Sequence, residues 1–401
     1  MNISFDNTEI AFAYKTDKDL KRAHFLFSSM AINWLVKLGT RITPWAIKAR
    51  LPINGLIKST IFKQFVGGET LEETKKIADT LQRYNVQVIL DYGVEGKEGE
   101  ENFEEATNEF IKVIQYAASQ KNIPFISIKL TGLVRFSLLE KLNAANITSS
   151  FKSEINTDLL SEQEIKEFEK VRNRLTRICD VAAKNNIGVL IDAEETWIQY
   201  PVDALTMQMM ELYNKEKAVI YNTLQLYRHD RLQFLKESFQ QASSKQFMLG
   251  VKFVRGAYME KERKRAEEMN YPSPIQPDKQ ATDNDFNAAI DFCISQIDRI
   301  FLMVASHNEF SNLYTTQLLQ KQFGIENHQH VHFSQLYGMS DNITFNLAKA
   351  GCSVSKYLPF GPIADVIPYL MRRAEENSSM NSYTSKELNL IKKELKRRAK
   401  N

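Results

Sequence analysis

The sequence predicts an α/β chain built as a (βα)8 TIM-type barrel with an N-terminal helical arm, and three observations carry that prediction. Eight short apolar runs rich in Val and Ile recur from residue 86 onward. They lack clean alternation of polar and apolar residues, as strands buried on both faces do. Charged segments long enough for crossover helices separate them, which is the rhythm of repeated βα units. A doubly wound open sheet shares this rhythm and stays as the competitor, because periodicity does not show closure.

Taken in order, residues 1–85 read as a mainly helical arm, broken at Pro44, Pro52 and the pair Gly67-Gly68. The strand runs follow as VQVILDY (86–92), PFISIKL (124–130), IGVLIDA (187–193) and AVIYNTLQLY (218–227). The second four are MLGVKFV (248–254), IFLMVAS (300–306), HVHFSQL (330–336) and CSVSKYL (352–358). The segment DLLSEQEIKEFEKVRNRLTRICDVAAKNN, ahead of the third run, has the length and charge of a crossover helix. The domain reading is therefore an arm at 1–85, a barrel at 86–380 and a basic helical tail at 381–401. An insert rich in Asn and Ser, NAANITSS, lies near 143–160 without a role that the residues disclose.

Composition narrows the function classes. The chain has 401 residues, 43% hydrophobic and 25% charged, which is enough for a sizeable core. A net charge of +3 is too small to argue for nucleic acid. Cys179, Cys293 and Cys352 are widely spaced, so neither a disulfide framework nor a Cys-x-x-Cys metal pair is expected, and a reducing compartment is. Asp6 and Glu9 come early with no apolar h-region, so no secretory signal is expected. HFLFSSMAINWLVKLG is interrupted by Ser, Asn and Lys and does not suit a bilayer span.

In a barrel of this class, chemistry sits at the carboxyl ends of the strands. Polar residues close every run: Asp91, Lys129, Asp192, Gln225, Arg255, His307 with Asn308, Gln335 and Tyr357. Lys129 stands between Ile128 and Leu130, where an unmatched ammonium would be costly. In YLMRRAEE, a helix would place Tyr369, Arg372, Arg373 and Glu376 on one stripe. That stripe reads either as a solvated face with a local ion pair or as a cradle for a carboxylate, which the planar Arg fork matches.

Other patterns fall away. No G-x-G-x-x-G follows a strand, and GVEGKE has its glycines too close together for a phosphate loop. His328, His330 and His332 repeat at period 2 and read as structural or solvated rather than as metal ligands. The stretch SKELNLIKKELKRRAKN holds seven basic and two acidic residues and reads as a solvated amphipathic helix in preference to a lipid-binding one.

At KFVRGAYMEKE (252–262) the pattern becomes familiar. With SIKLTGL, IDAEE, ASHNE, QLYGM, KYLPFGP and YLMRRAEENSS, it resembles the proline dehydrogenase family from about residue 86 to 380. The RGAY and YLxRRxxEN blocks are its specific parts. The resemblance implies a distorted (βα)8 barrel, non-covalent FAD, and the single-function form without DNA-binding or aldehyde dehydrogenase segments. It implies that Arg372 and Arg373 grip the substrate carboxylate, that Lys129 adds a third positive charge, and that Glu95 is a gate pairing with Arg372. Tyr258, Leu336, Tyr357 and Tyr369 match residues packing the proline ring, and Asp192 orients donors near the flavin and Lys129. Gln225, Lys252, Val254, Arg255, Gly256, Ala257, Thr282, His307, Asn308 and Glu376 match FAD contacts. Lys252 departs from several relatives, which carry arginine there; lysine keeps the charge and loses the fork.

The implied reaction is oxidation of L-proline to Δ1-pyrroline-5-carboxylate, a hydride equivalent passing from C5 to flavin N5. Electrons would continue to a membrane quinone, and a separate pyrroline-5-carboxylate dehydrogenase would take the product. The expected location is cytoplasmic, with peripheral contact on the inner face of the cytoplasmic membrane through the arm at 20–60 or the tail. Hydroxyproline dehydrogenase is the nearest rival; its known form lacks the tyrosine matched by Tyr357, so proline is preferred. A metal-dependent barrel hydrolase built on Asp192, His307 and His332 is the rival of another class, and a flavin-free binding or scaffold protein is a third.

Overall fold

Val- and Ile-rich runs bounded by polar turns are strands wherever both faces can be covered, and here they are. The computed structural model describes residues 3–32, 34, 36, 39–41, 54–93, 98–146, 151–379 and 381–400. Its strands are β1 (Gln87–Tyr92), β2 (Phe125–Ile128), β3 (Gly188–Ile191), β4 (Ile220–Gln225), β5 (Leu249–Val254), β6 (Ile300–Ala305), β7 (Val331–Leu336) and β8 (Val354–Phe360). They close into a barrel in sequence order, which sets the open sheet aside. Pairing is parallel, with Ile89 across from Tyr357 and Thr223 across from Lys252. Every residue of β3 and β4 is buried, which is the physical reason those runs do not alternate.

Two boundaries differ from expectation. β2 stops at Ile128, and Lys129 is extended (φ −111°, ψ 136°) ahead of the single 3-10 turn Leu130–Gly132. β8 continues to Phe360, so Tyr357 lies within the strand rather than at its end. Pro359 makes the run read as finished, since proline cannot donate to a ladder. Its carbonyl nonetheless accepts from Gly67 N at 2.7 Å.

The chain divides into two compact units, one of Met1–Glu95 with Ser334–Asn401 and one of Gly96–Phe333. In the first, helix Asp17–Met30 starts at a capping box between Thr16 and Asp19 and buries Leu20, Ala23, Phe27 and Met30. Helix Ile363–Ser379 adds Val366, Ile367 and Leu370, and helix Asn381–Arg398 adds Leu390 and Ile391 to the same cluster. Burial of each large aliphatic or aromatic side chain contributes about 1.5–3 kcal/mol. The basic tail is thus amphipathic, with one face docked. Its Glu394 is fully buried and accepts from Arg397 and Arg398, and Arg398 donates onward to the carbonyls of Phe12 and Lys15, both at 2.9 Å.

The same unit holds a charge cluster that no motif announces. Lys356 of β8 is 0% exposed and pairs with Asp341 at 2.9 Å. Lys15 meets the other oxygen of Asp341 at 2.8 Å, and the Tyr14 hydroxyl donates to it at 2.9 Å. Burial alone would raise the Asp341 carboxyl; Lys15 and Lys356 outweigh it and hold the group at about 2.

The second unit alternates β2–β6 with helices. Helix Glu162–Asn185 is the crossover read from the sequence; it opens on a Ser161–Glu164 capping box and stops at Asn186 in the left-handed region (φ 57°). Its buried Arg174 donates to Glu100 at 2.6 Å, Glu104 at 3.0 Å and the Leu133 carbonyl at 3.1 Å. The described part of the insert is anchored: Asn146 bonds both the N–H and the carbonyl of Asn156, and the Phe151 ring lies 4.5 Å from that of Phe234. Among the described residues no helix is long and apolar enough to cross a membrane.

Candidate active site

In the second unit, the carboxyl ends of β2–β5 deliver a compact polar set. Lys252, a β5 residue only 4% exposed, places Nζ 2.5 Å from Asp192 Oδ1, one residue past the end of β3. Burial pushes the Asp192 carboxyl up, but Lys252 and then Lys129 more than offset it and keep the group below its ordinary value. The Asp192 carboxylate thus meets the Lys252 ammonium directly and is further stabilised by the Lys129 charge. Gln225, at the end of β4 and buried, donates to the Glu194 carbonyl at 2.8 Å.

Val254, Arg255, Gly256, Ala257 and Tyr258 follow one another from β5 into helix Met259–Glu268; Gly256 and Ala257 are exposed. Gly256 has φ +135°, and a Cβ there would lie 2.5 Å from the Tyr227 ring. The glycine is therefore required by the protein's own packing, a reason different from the close cofactor approach expected of it. Arg255 is committed in the same way. Its guanidinium donates to Asp283 at 2.8 Å, Ser306 at 2.6 Å and Ser311 at 3.0 Å, and lies over the Phe286 ring. The FAD contact expected of Arg255 requires exchange of those partners. Thr282 sits in the first turn of helix Lys279–Ser295, its hydroxyl donating to the Asp278 carbonyl at 3.2 Å. His307 and Asn308 lead into helix Glu309–Phe323, which Asn308 caps by accepting from Ser311 N at 3.2 Å.

The DAEE stretch carries a group that the motif reading passed over. Glu194 is buried and accepts from Thr131 through both the hydroxyl, at 2.6 Å, and the backbone N–H, at 3.2 Å. Burial pushes its carboxyl up to about 7, with Glu195 adding to the rise and Thr131 and Lys129 opposing it. The signal was two adjacent acids directly after a buried strand, where at least one must find an internal partner.

In the first unit, helix Ile363–Ser379 presents Tyr369, Arg372, Arg373 and Glu376 at the expected spacing. Arg373 is buried, donates to Glu376 at 2.5 Å and lies 5.2 Å over the Tyr369 ring. The local ion pair of the bland reading is therefore present. Two polar atoms of this stripe are left over: among the described residues, Arg373 Nε and Tyr369 Oη are buried without a hydrogen-bond partner. Such orphans are uncommon and call for an explanation. Arg372 is half-buried on the same helix; Leu336 ends β7 and packs, like Tyr369, against the unit's apolar cluster. Tyr357 is half-buried in β8. Glu95, and with it the gate expected to pair with Arg372, lies outside the described residues.

The three histidines are part of the framework. His330 bonds the Ile297 carbonyl at 2.7 Å and donates its backbone N–H to His328 Nδ1 at 3.1 Å. Burial drives the His332 imidazole down to about 3, keeping it neutral beside the Phe125 ring. Among the described residues no group of three or more His, Cys, Asp or Glu is placed to hold a metal.

The donor set suits a flavin dinucleotide: buried cation and amide groups at Lys252 and Gln225, exposed backbone at Gly256 and Ala257, and, across from Lys252, a buried Thr223 hydroxyl without a partner among the described residues.

Comparison with known proteins agrees with the fold. Proline utilization A from Bdellovibrio bacteriovorus, solved after inactivation by N-propargylglycine, superposes with a TM-score of 0.69 at 19% identity, over 92% of this chain and 38% of that one. Mitochondrial proline dehydrogenase 1 of Dictyostelium discoideum is 37% identical over 380 residues, covering 86% of this chain and 66% of its own length. Hydroxyproline dehydrogenase of Xenopus laevis is 32% identical over 423 residues, covering 96% and 88%. The family model described as proline dehydrogenase matches residues 74–386. With the match spanning most of the chain and the barrel closed as that fold requires, the chain belongs to the proline dehydrogenase family.

Proposed function

We propose that this chain is a flavin-dependent dehydrogenase that oxidises L-proline to Δ1-pyrroline-5-carboxylate. Family membership supports the reaction class. The observation that carries the substrate reading is the pair of orphaned buried atoms, Arg373 Nε and Tyr369 Oη, on one helix stripe. A guanidinium nitrogen shielded from water and given no acceptor among the described residues is suited to an incoming carboxylate oxygen. Arg372 supplies the second fork and Lys129 a further positive charge, while Tyr258, Leu336, Tyr357 and Tyr369 give the ring an apolar surface. Glu376 already holds one nitrogen of Arg373, which fixes the guanidinium plane before substrate arrives.

Lys252, Gln225, Val254, Thr282, His307, Asn308, Glu376 and the backbone at Gly256 and Ala257 would hold FAD non-covalently, with Arg255 joining if Asp283 yields. When bound, FAD supplies the two-electron acceptor for the hydride equivalent leaving proline C5. The protein's own contribution is positioning and charge: Asp192 pairs with Lys252 at the strand ends, and the arginine helix orients the acid end of the substrate. Electrons pass on to a membrane quinone, and a separate dehydrogenase consumes the product. Phe25 and Trp34, each 67% exposed on the arm, support peripheral contact with a membrane from the cytoplasmic side.

A relative 32% identical that is named hydroxyproline dehydrogenase makes the ring substituent the open choice within the family. Tyr357, retained here, favours proline. The test is anaerobic addition of L-proline or trans-4-hydroxy-L-proline to the purified yellow protein. Loss of the visible flavin band, faster with L-proline, is expected; no bleaching overturns the activity, and faster bleaching by hydroxyproline overturns the substrate.

A further inference from the structure

The first unit carries a half-open pocket of about 470 Å³ whose described lining includes none of the residues assigned to the reaction above. It opens among the arm helices, and 12 of its 18 lining residues precede residue 74, where the family match begins. Its volume is in the range of small-molecule sites. Among the described residues five cations and two acids line it, a surplus of +3 from Lys15, Arg22, Lys58, Lys63 and Lys76 against Asp19 and Glu73.

Most of that charge is already answered. Lys15 is held by Asp341, Lys58 by Glu69, and one nitrogen of Arg22 by Asp19 at 2.8 Å. Lys63 and Lys76 make no ion pair among the described residues, and Arg22 Nε is buried without an acceptor. Among the described residues, Lys63 and Lys76 thus face the cavity without an ion-pair partner, and Arg22 answers Asp19 through one nitrogen only. Opposite in character are Phe62, Val66, Ile77 and Leu81, which give the same cavity an apolar wall. An anion alone would leave that wall wet, and an apolar molecule alone would leave the donors unmatched.

We propose that this cavity binds an amphiphile through a phosphate or carboxylate head held by Arg22, Lys63 and Lys76, with its apolar body against Phe62 and Leu81. The wall is also tied to the barrel. Gln64 Nε2 donates to the Gly338 carbonyl at 2.8 Å, and Gly338 (φ +80°) could not carry a Cβ, which would lie 2.1 Å from the Gln64 carbonyl oxygen. Gly338 stands two residues past Leu336, so the occupant rests against the turn that follows β7.

The test uses the full-length, FAD-loaded chain and calorimetric titration with hexyl phosphate, inorganic phosphate and phosphatidylglycerol vesicles. Hexyl phosphate is expected to bind saturably and more tightly than inorganic phosphate. The double variant Lys63→Ala/Lys76→Ala, whose side chains are exposed and outside the catalytic set, is expected to keep its proline turnover and to weaken hexyl phosphate binding by about tenfold or more, the loss of roughly one charge-assisted contact. Saturation by hexyl phosphate without vesicle binding identifies a free metabolite as the natural source, and binding of both identifies a lipid; either supports the site. No saturable binding, equal affinity for inorganic and hexyl phosphate, or undiminished binding by the double variant overturns it.

Discussion

Glu194 ionises against its surroundings, and the consequence is a stability that depends on pH. Its carboxyl titrates at about 7 in the folded chain against an ordinary 4.5. The folded state therefore holds this proton more tightly than the unfolded chain does. The stabilisation is fully present below about pH 4.5 and is lost as pH rises through about 7. Glu194→Gln keeps an acceptor for Thr131 and removes the titration. Thermal melts should show the wild type gaining stability as pH falls from neutral toward 5, and the variant gaining less; identical slopes would remove Glu194 from the account. Asp341 has the opposite sign. It is held at about 2 by Lys15 and Lys356, so its contribution is present above the ordinary carboxyl value and lost only in strong acid. Asp341→Asn strands two ammoniums, one of them fully buried, and should cost about 3–5 kcal/mol in denaturant unfolding. Glu194 was legible only as one of two adjacent acids after a strand, and Asp341 was not legible from the sequence. A lysine inside a strand and a tyrosine near the N-terminus reveal their shared carboxylate only when residues 14, 15, 341 and 356 meet. Arg373 was legible, because both of its partners, Tyr369 and Glu376, lie within one turn of the same helix.

Among the elements, the strands could be read from their runs because burial on both faces leaves no polar alternation to mislead. Their ends were less certain: Pro359 hid two residues of β8, and Lys129 proved to lie just beyond β2. The tail could be read as amphipathic but not as docked, since Leu390 and Ile391 find their partners more than 300 residues earlier, at Leu20 and Phe27. The β5 loop carries the element-scale prediction. Gly256→Ala forces a side chain into a positive-φ position and against the Tyr227 ring, a strain of about 1–3 kcal/mol. The loop should shift, and the purified variant should retain less FAD than the wild type while its far-ultraviolet dichroism is unchanged. Full flavin retention would show that the loop does not contact the cofactor.

At the scale of the whole molecule, eight parallel strands closed in sequence order turn scattered residues into two groups: a lysine–aspartate set just past β2 and β3 and within β5, and an arginine stripe on helix Ile363–Ser379. Closure itself was not legible, because an open sheet has the same periodicity. Lys129→Ala should lower turnover far more than it lowers the melting temperature, since Asp192 keeps Lys252 as a partner; the reverse pattern would make Lys129 structural. The most direct measurement is steady-state proline kinetics of Arg373→Met with FAD content determined on the same preparation. The account predicts normal flavin content and a proline KM raised about 30- to 1000-fold, the roughly 2–4 kcal/mol lost when a buried charge pair loses one partner. An unchanged KM at full flavin occupancy would contradict it.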